Sequence, residues 1–191
     1  MTLILIGAVI FAGIHLIVML SPATRQSFEA RFGEGPWKGI FSLISAVGLI
    51  LMIWGLIQAR RGDEWADLLY VPADWTRHAA MLLVLIGFIL VGASHGKGYF
   101  KLWVKQPMSV GIGLWALAHL LTNGERPAVL FFGAFLLIAV LDIILSTMRG
   151  KIPQYEPRVR SDVIAIITGI ILYAIFLFGF HPYVLGVPIV T

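Results

Sequence analysis

The sequence predicts an all-α fold: a polytopic integral membrane helical bundle of about six transmembrane helices, forming a single domain over residues 1–191. Apolar residues make up 59% of the chain and charged residues only 13%, a composition that a water-soluble core of this size does not need. The apolar residues are concentrated in six long runs, and most of these approach the ~20 residues that cross a bilayer as a helix. The connecting segments are short and rich in turn residues, and no repeat or composition change divides the chain.

The six apolar runs predict the helices in order. The first run has no basic segment before it and no small-residue cleavage site, so it is interpreted as a span and not as a signal peptide. Two runs are shorter than the others, and we expect them to borrow flanking residues. Proline stands near three of the predicted helix starts, where its missing N–H does no harm. The runs cover residues 3–20, 40–57, 79–93, 108–121, 128–145 and 163–180.

The basic residues predict the orientation. Of the 14 Lys and Arg residues, ten fall in the first, third and fifth loops and four in the second and fourth. Cytoplasmic loops carry the excess of Lys and Arg, so loops one, three and five are predicted inside and both termini outside. The same scatter argues against a basic face for nucleic acid, although the net charge is +4. The ten are Arg25, Arg31, Lys38, Lys97, Lys101, Lys105, Arg149, Lys151, Arg158 and Arg160.

Two histidines lie inside apolar runs, where an imidazole loses its hydrogen bonds to water and needs a reason. His15 and His119 stand on different helices among alanine and apolar residues, as the axial ligands of a membrane-embedded haem b would. Asn123 is placed to orient the His119 ring or to cap its helix. Arg25 and Arg31, beyond the cytoplasmic end of the first run, are candidates to meet the haem propionates. The chain has no cysteine, which excludes disulfides, iron–sulfur clusters and covalent c-type haem.

Other interpretations stay open at this point. Intramembrane histidines also form hydrogen bonds between helices without binding anything. His15 and His119 differ in depth by ~8 Å at ~1.5 Å of rise per residue, and the rival ligand pair is His78 with His181, both at the outer end. Asp142, about two turns inside its span, is expected to be paired structurally, with a proton path as the alternative.

Several strings identify the chain as similar to a known family. "GIHLIVMLSPATRQSFEARFGEGPWKGIFSLISAVGLILMIWG", "QPMSVGIGLWALAHLLTNG" and "SDVIAIITGIILYAIFLFGFHPYVLGVPI" resemble the NnrU family of bacterial membrane proteins. The resemblance covers almost the whole chain. It implies a multi-pass protein of the bacterial inner membrane that supports nitrite and nitric oxide reduction in denitrification.

The family also includes the plant ζ-carotene cis–trans isomerase, which binds haem b through two histidines. The resemblance places those ligands at His15 and His119. Two positions depart from the family pattern: Ala116 stands where the isomerase has a cysteine implicated in ligand exchange, and Gln106 where most members have histidine. The missing cysteine weakens the isomerase interpretation. If the loop histidine serves chemistry in relatives, this chain lacks that chemistry.

Three functions therefore compete. The first is a haem b protein that acts in nitrogen-oxide metabolism as a redox, sensing or assembly factor. The second is a haem-dependent cis–trans isomerase of a carotenoid-like polyene. The third is a structural or transport protein without a cofactor. For the first two, the predicted partners are the bilayer, a lipid-soluble small molecule such as NO, a quinone or a polyene, and a membrane redox partner.

Overall fold

The computed structural model describes residues 1–150, 152–187 and 189. Two residues used above, Lys151 in the charge count and the terminal Thr191, lie outside the described residues. A 3₁₀ turn covers Asp63–Ala66, and a π-helical segment covers Ile175–Phe180. The α-helices are α1 Thr2–Leu20, α2 Pro22–Phe32, α3 Glu34–Arg61, α4 Thr76–Ala93, α5 Tyr99–Val104, α6 Pro107–Thr122, α7 Arg126–Met148, α8 Val159–Ala174 and α9 His181–Tyr183.

The predicted all-α membrane fold is confirmed. In the described part of the chain, five helical segments are long and apolar enough to cross a membrane: α1, α3, α4, α7 and the stretch Val159–Tyr183. Helix α6 is apolar but has only 16 residues. Large apolar side chains face outwards along the spans, among them Val9, Leu43 and Leu137, which are 72%, 66% and 61% exposed. Faces of this kind are stable against lipid hydrocarbon and not against water.

The chain divides into two compact units. The first comprises Met1–Val71 and Asn123–Ala134, and the second comprises Pro72–Thr122 and Phe135–Thr191. Helix α7 contributes its first part to one unit and its second part to the other. The expectation of a single domain over the whole chain stays a prediction.

In the first unit, α1 and α3 pack as an antiparallel pair at positions without side chains. A Cβ built on Gly7 would lie 2.6 Å from the carbonyl oxygen of Gly48, and one on Gly48 would lie 2.8 Å from the Phe11 amide nitrogen. Small residues let two backbones approach closely. In lipid there is no hydrophobic driving force between helices, and the van der Waals packing of such close contacts holds them together instead. Ile4 and Met52, both fully buried, fill the space beside the contact.

In the second unit, α4 packs against both α6 and α8. A Cβ on Gly87 would lie 2.7 Å from the Gly111 carbonyl oxygen on α6. On the other contact, a Cβ on Gly169 of α8 would lie 2.6 Å from the Ile89 Cα. The glycines of α4, α6 and α8 thus fix the spacing and the register of the helices that carry His119 and His181.

Within each unit, contacts join loops that are distant in the sequence. In the first unit, the loop after α3 meets the loop before α7: the Leu69 amide donates to the Gly124 carbonyl at 2.8 Å, and Arg126 pairs with Asp67 at 2.9 Å. Loops two and four therefore share one side. The Met1 ammonium also pairs with Glu64 of loop two.

In the second unit, loops three and five are joined in the same way. The Arg158 amide donates to the Lys97 carbonyl at 2.8 Å, and the Tyr155 hydroxyl donates to the Gly98 carbonyl at 2.8 Å. Asp162, in the first turn of α8, accepts from the amides of Tyr99 at 2.7 Å and Phe100 at 3.1 Å. These bonds satisfy amides at the start of α5 that have no partner within the helix.

Two short helices were not predicted. Helix α2 occupies loop one, with an Arg25–Glu29 ion pair one turn apart and Phe28 packed against Trp37 at 5.5 Å between ring centroids. Helix α5 occupies loop three. Helix α2 is short and largely polar, and helix α5 has only 6 residues, so apolar periodicity does not reveal either.

Candidate functional site

His15 lies in the first unit on α1 and is partly buried. Its Nδ1 donates to the carbonyl oxygen of Phe11, one turn earlier, at 2.7 Å. The imidazole packs against the Phe11 ring at 4.2 Å and against the edge of the Phe41 ring at 5.0 Å, measured between centroids. Two aromatic rings, those of Phe11 and Phe41, therefore lie against the imidazole of His15.

His119 lies in the second unit, near the end of α6, and has the same local geometry. Its Nδ1 donates to the Trp115 carbonyl oxygen at 2.8 Å, and the Trp115 ring packs beside it at 5.0 Å. Phe135 of α7 packs edge-on against Trp115, with ring centroids 5.3 Å apart. The carbonyl of Trp115 helps to orient the imidazole; a contribution of Asn123 to this orientation stays a prediction.

These hydrogen bonds fix the tautomer of both rings. A backbone carbonyl only accepts, so Nδ1 must carry the proton, and in the neutral ring the lone pair then lies on Nε2. Histidines that ligate metals commonly donate one ring N–H to a carbonyl in this manner, which holds the other nitrogen as the ligand atom.

A third histidine has the same arrangement. His181 is the first residue of α9, and its Nδ1 donates to the Phe176 carbonyl oxygen at 2.7 Å. The structure brings its ring beside that of His119, with centroids 6.1 Å apart and planes only 13° from parallel. Both residues were predicted from the sequence as candidate ligands, but not as a pair. The predicted partner of His181 was His78, which is exposed at the start of α4.

The other predicted site residues lie in the loops. Arg25 is paired with Glu29 at 2.8 Å, and the Arg31 guanidinium lies over the Phe32 ring at 5.2 Å. The backbone carbonyl of Asn123 accepts the Tyr70 hydroxyl at 2.8 Å. Contact of Arg25 and Arg31 with haem propionates stays a prediction.

Asp142 has structural partners, as expected for a carboxylate inside a span. Ser109 of α6 donates to its Oδ2, and Ser146, one turn later on α7, donates to its Oδ1 at 3.2 Å. These two hydroxyls bind the carboxyl group and join α6 to α7. Sequence spacing alone could have suggested Ser146, because it stands four residues from Asp142.

The donor set of the described residues suits one class of metal centre. No group of three or more His, Cys, Asp or Glu side chains gathers there to hold a metal ion. Metal ions bound by side chains alone generally need three or four of them. Haem iron needs only one or two from the protein, because the porphyrin supplies four nitrogens. Haem binding by these histidines stays a prediction.

Comparison with known families settles the class of the protein. A family described as NnrU protein matches residues 3–189. The chain belongs to the NnrU family. The match spans all three histidines of the candidate site, and it confirms the family resemblance found in the sequence. Comparison with curated proteins gave no match, and neither did comparison with solved structures.

Proposed function

We propose that this member of the NnrU family binds haem b in the membrane and serves nitrite and nitric oxide reduction as a redox, sensing or assembly factor. One of its ligands is His119. The family resemblance implies His15 as the second ligand, while the position of His181 beside His119 makes His181 a competitor for that role.

One observation carries the haem proposal: the intramembrane histidines each donate Nδ1–H to a backbone carbonyl. Such a bond leaves the ligating lone pair on Nε2 and holds the ring in one orientation.

The surroundings of His119 also suit a porphyrin. Trp115 and Phe135 provide flat apolar surface, and Ala116, next to Trp115 on α6, is fully buried and small. When bound, haem b supplies a one-electron iron centre that can also take NO. Two histidines bound to the iron would leave it no open position, which would favour electron transfer or a response to ligand exchange over oxygen chemistry.

The location and substrates follow from the same features. The family resemblance supports the bacterial inner membrane as the location, and the loop charges support an orientation with both termini in the periplasm. The groups argued to be functional lie among apolar residues, so the molecule they meet is lipid-soluble, such as NO or a quinone. A membrane redox partner would complete the electron path.

A deletion strain tests the role. We expect it to reduce nitrite or NO more slowly than the parent, with recovery on expression of the wild-type chain or the His95→Ala control but not of His119→Ala. His95 is exposed and lies outside the site. Normal nitrogen-oxide reduction together with accumulated cis-polyene would overturn this role in favour of the isomerase.

A further inference from the structure

We infer that loops three and five together bind the headgroup of an anionic phospholipid, and that Lys97 and Arg158 contact its phosphate. Both loops belong to the second unit, and they meet where α4 ends and α8 begins. The site uses none of the histidines on which the proposed function rests, and it does not depend on haem.

The first argument is charge. Residues 94–106, from the end of α4 to the start of α6, include three lysines and no carboxylate. Residues 156–162 add two arginines and two carboxylates. Asp162 is buried and accepts from two amides of α5, so Glu156 is the one exposed carboxylate of these two described stretches. The basic residues are Lys97, Lys101, Lys105, Arg158 and Arg160.

The second argument is the proximity of two cations without a counterion. The Arg158 amide donates to the Lys97 carbonyl at 2.8 Å, which brings the backbones of the two residues together. Both side chains are exposed, and neither takes part in an ion pair among the described residues. Neighbouring cations repel each other, and an anion bound by both removes that repulsion. A phosphate group suits this role, because Arg binds it through two parallel hydrogen bonds and Lys as a point charge.

The third argument is depth in the membrane. Lys97 follows the end of α4, and Arg158 directly precedes α8, so both lie next to the ends of apolar helices. Between them in the chain, α5 presents Trp103, which is 71% exposed, and Tyr99, which is 38% exposed. Trp and Tyr are enriched at the level of lipid headgroups. Exposed aromatic rings beside unpaired cations favour a lipid over a free phosphate, because the acyl chains of the lipid can cover the rings.

The fourth argument is that the surface is already assembled. The Tyr155 hydroxyl donates to the Gly98 carbonyl at 2.8 Å, and the Lys101 ammonium donates to the Ser94 carbonyl at 2.7 Å. Asp162 accepts from the first two amides of α5. These bonds fix α5 and loop five to the end of α4, so lipid binding orders few further groups and loses little conformational entropy.

Native mass spectrometry of the full chain in detergent tests the site, with phosphatidylglycerol and phosphatidylcholine of identical acyl chains added in equal amounts. We expect the one-lipid complex with phosphatidylglycerol to be more abundant by about fivefold or more, because Lys and Arg near the membrane surface attract anionic lipid. The double variant Lys97→Gln with Arg158→Gln should lose most of this preference. The matched control, Arg61→Gln with Arg77→Gln, removes two exposed cations from the ends of loop two and should keep it. Equal abundance of the two complexes in the wild-type protein, or equal losses in the two double variants, overturns the assignment.

Two further measurements test the lipid itself. An excess of sn-glycerol 3-phosphate should leave the phosphatidylglycerol complex intact, and displacement of the lipid would make this a site for a free phosphate instead. The chain has no native cysteine, so a nitroxide attached to the Trp103→Cys variant in phosphatidylglycerol vesicles reports the depth of α5. We expect it to be shielded from a water-soluble nickel complex. A nitroxide as accessible to that complex as one free in solution would overturn the interfacial placement.

Discussion

Asp162 accepts a hydrogen bond from the Tyr99 amide at 2.7 Å and so ties the first turn of α8 to the start of α5. Asp162 is buried, with 8% of the residue's surface exposed, and its carboxylate also accepts from the Phe100 amide. We predict that Asp162→Ala lowers the unfolding free energy by about 1–3 kcal/mol, because it leaves two amides without acceptors. Thermal unfolding in detergent measures the loss. Asp162→Asn, which keeps one acceptor oxygen, should lose less; an unchanged midpoint in both variants would contradict this.

Gly98 lies under the same carboxylate. A Cβ built there would overlap Asp162 Oδ1 and approach its Cγ at 2.6 Å. We predict that Gly98→Ala displaces the carboxylate and lowers the thermal midpoint. Gly39→Ala is the matched control: Gly39 is exposed on α3 and has open space around its Cβ, so alanine there should be neutral or slightly stabilising. Equal midpoints for the two variants would refute the steric argument.

The link between loops three and five should weaken at alkaline pH. Burial raises the pKa of the Tyr155 hydroxyl above its ordinary value of 10.0, and the charge of Asp162 adds to this. Because the folded pKa exceeds the unfolded one, Tyr155 stabilises the fold below pH ~10, and this contribution is lost as pH rises through the folded value. We expect the wild-type unfolding midpoint to fall more steeply above pH ~10 than that of Tyr155→Phe. Parallel curves would contradict it.

The absence of native cysteine makes the orientation easy to measure. A single cysteine at Asp63 in loop two should react with an impermeant maleimide added to spheroplasts, and one at Lys97 in loop three should react only after lysis. Both positions are exposed, so access to the side chain does not limit labelling. Labelling of the Lys97→Cys variant alone in intact spheroplasts would reverse the predicted topology.

Local patterns were enough to predict the helices. The six apolar runs fall within helices, and the helix starts at Pro107 and Arg126 lie where proline indicated them. In the described part of the chain, five of the six predicted spans are long enough to cross a membrane, and α6 is shorter. The position of His15 and His119 inside apolar runs also marked them as candidate ligands, because a polar residue within an apolar run can be recognised from the sequence alone.

Contacts between residues that are far apart in the chain could not be predicted from the sequence. His119 and His181 are 62 positions apart, and their meeting depends on the packing of α4 with α6 and α8 at glycines. The π turn before Pro182 also changes which way His181 faces, and apolar periodicity assumes a regular helix. The partner that Asp142 finds in Ser109, and the one that Asp162 finds in Tyr99, are likewise set by helix packing.

The central claim is that the chain holds haem b through His119. Its most direct test is the reduced-minus-oxidised visible spectrum of protein purified from haem-replete cells, with the His119→Ala variant and the exposed His95→Ala control beside it. We predict low-spin b-type bands in the wild-type protein and in His95→Ala, and their loss or conversion to high-spin in His119→Ala. Colourless wild-type protein, or bands unaltered in His119→Ala, would contradict the account.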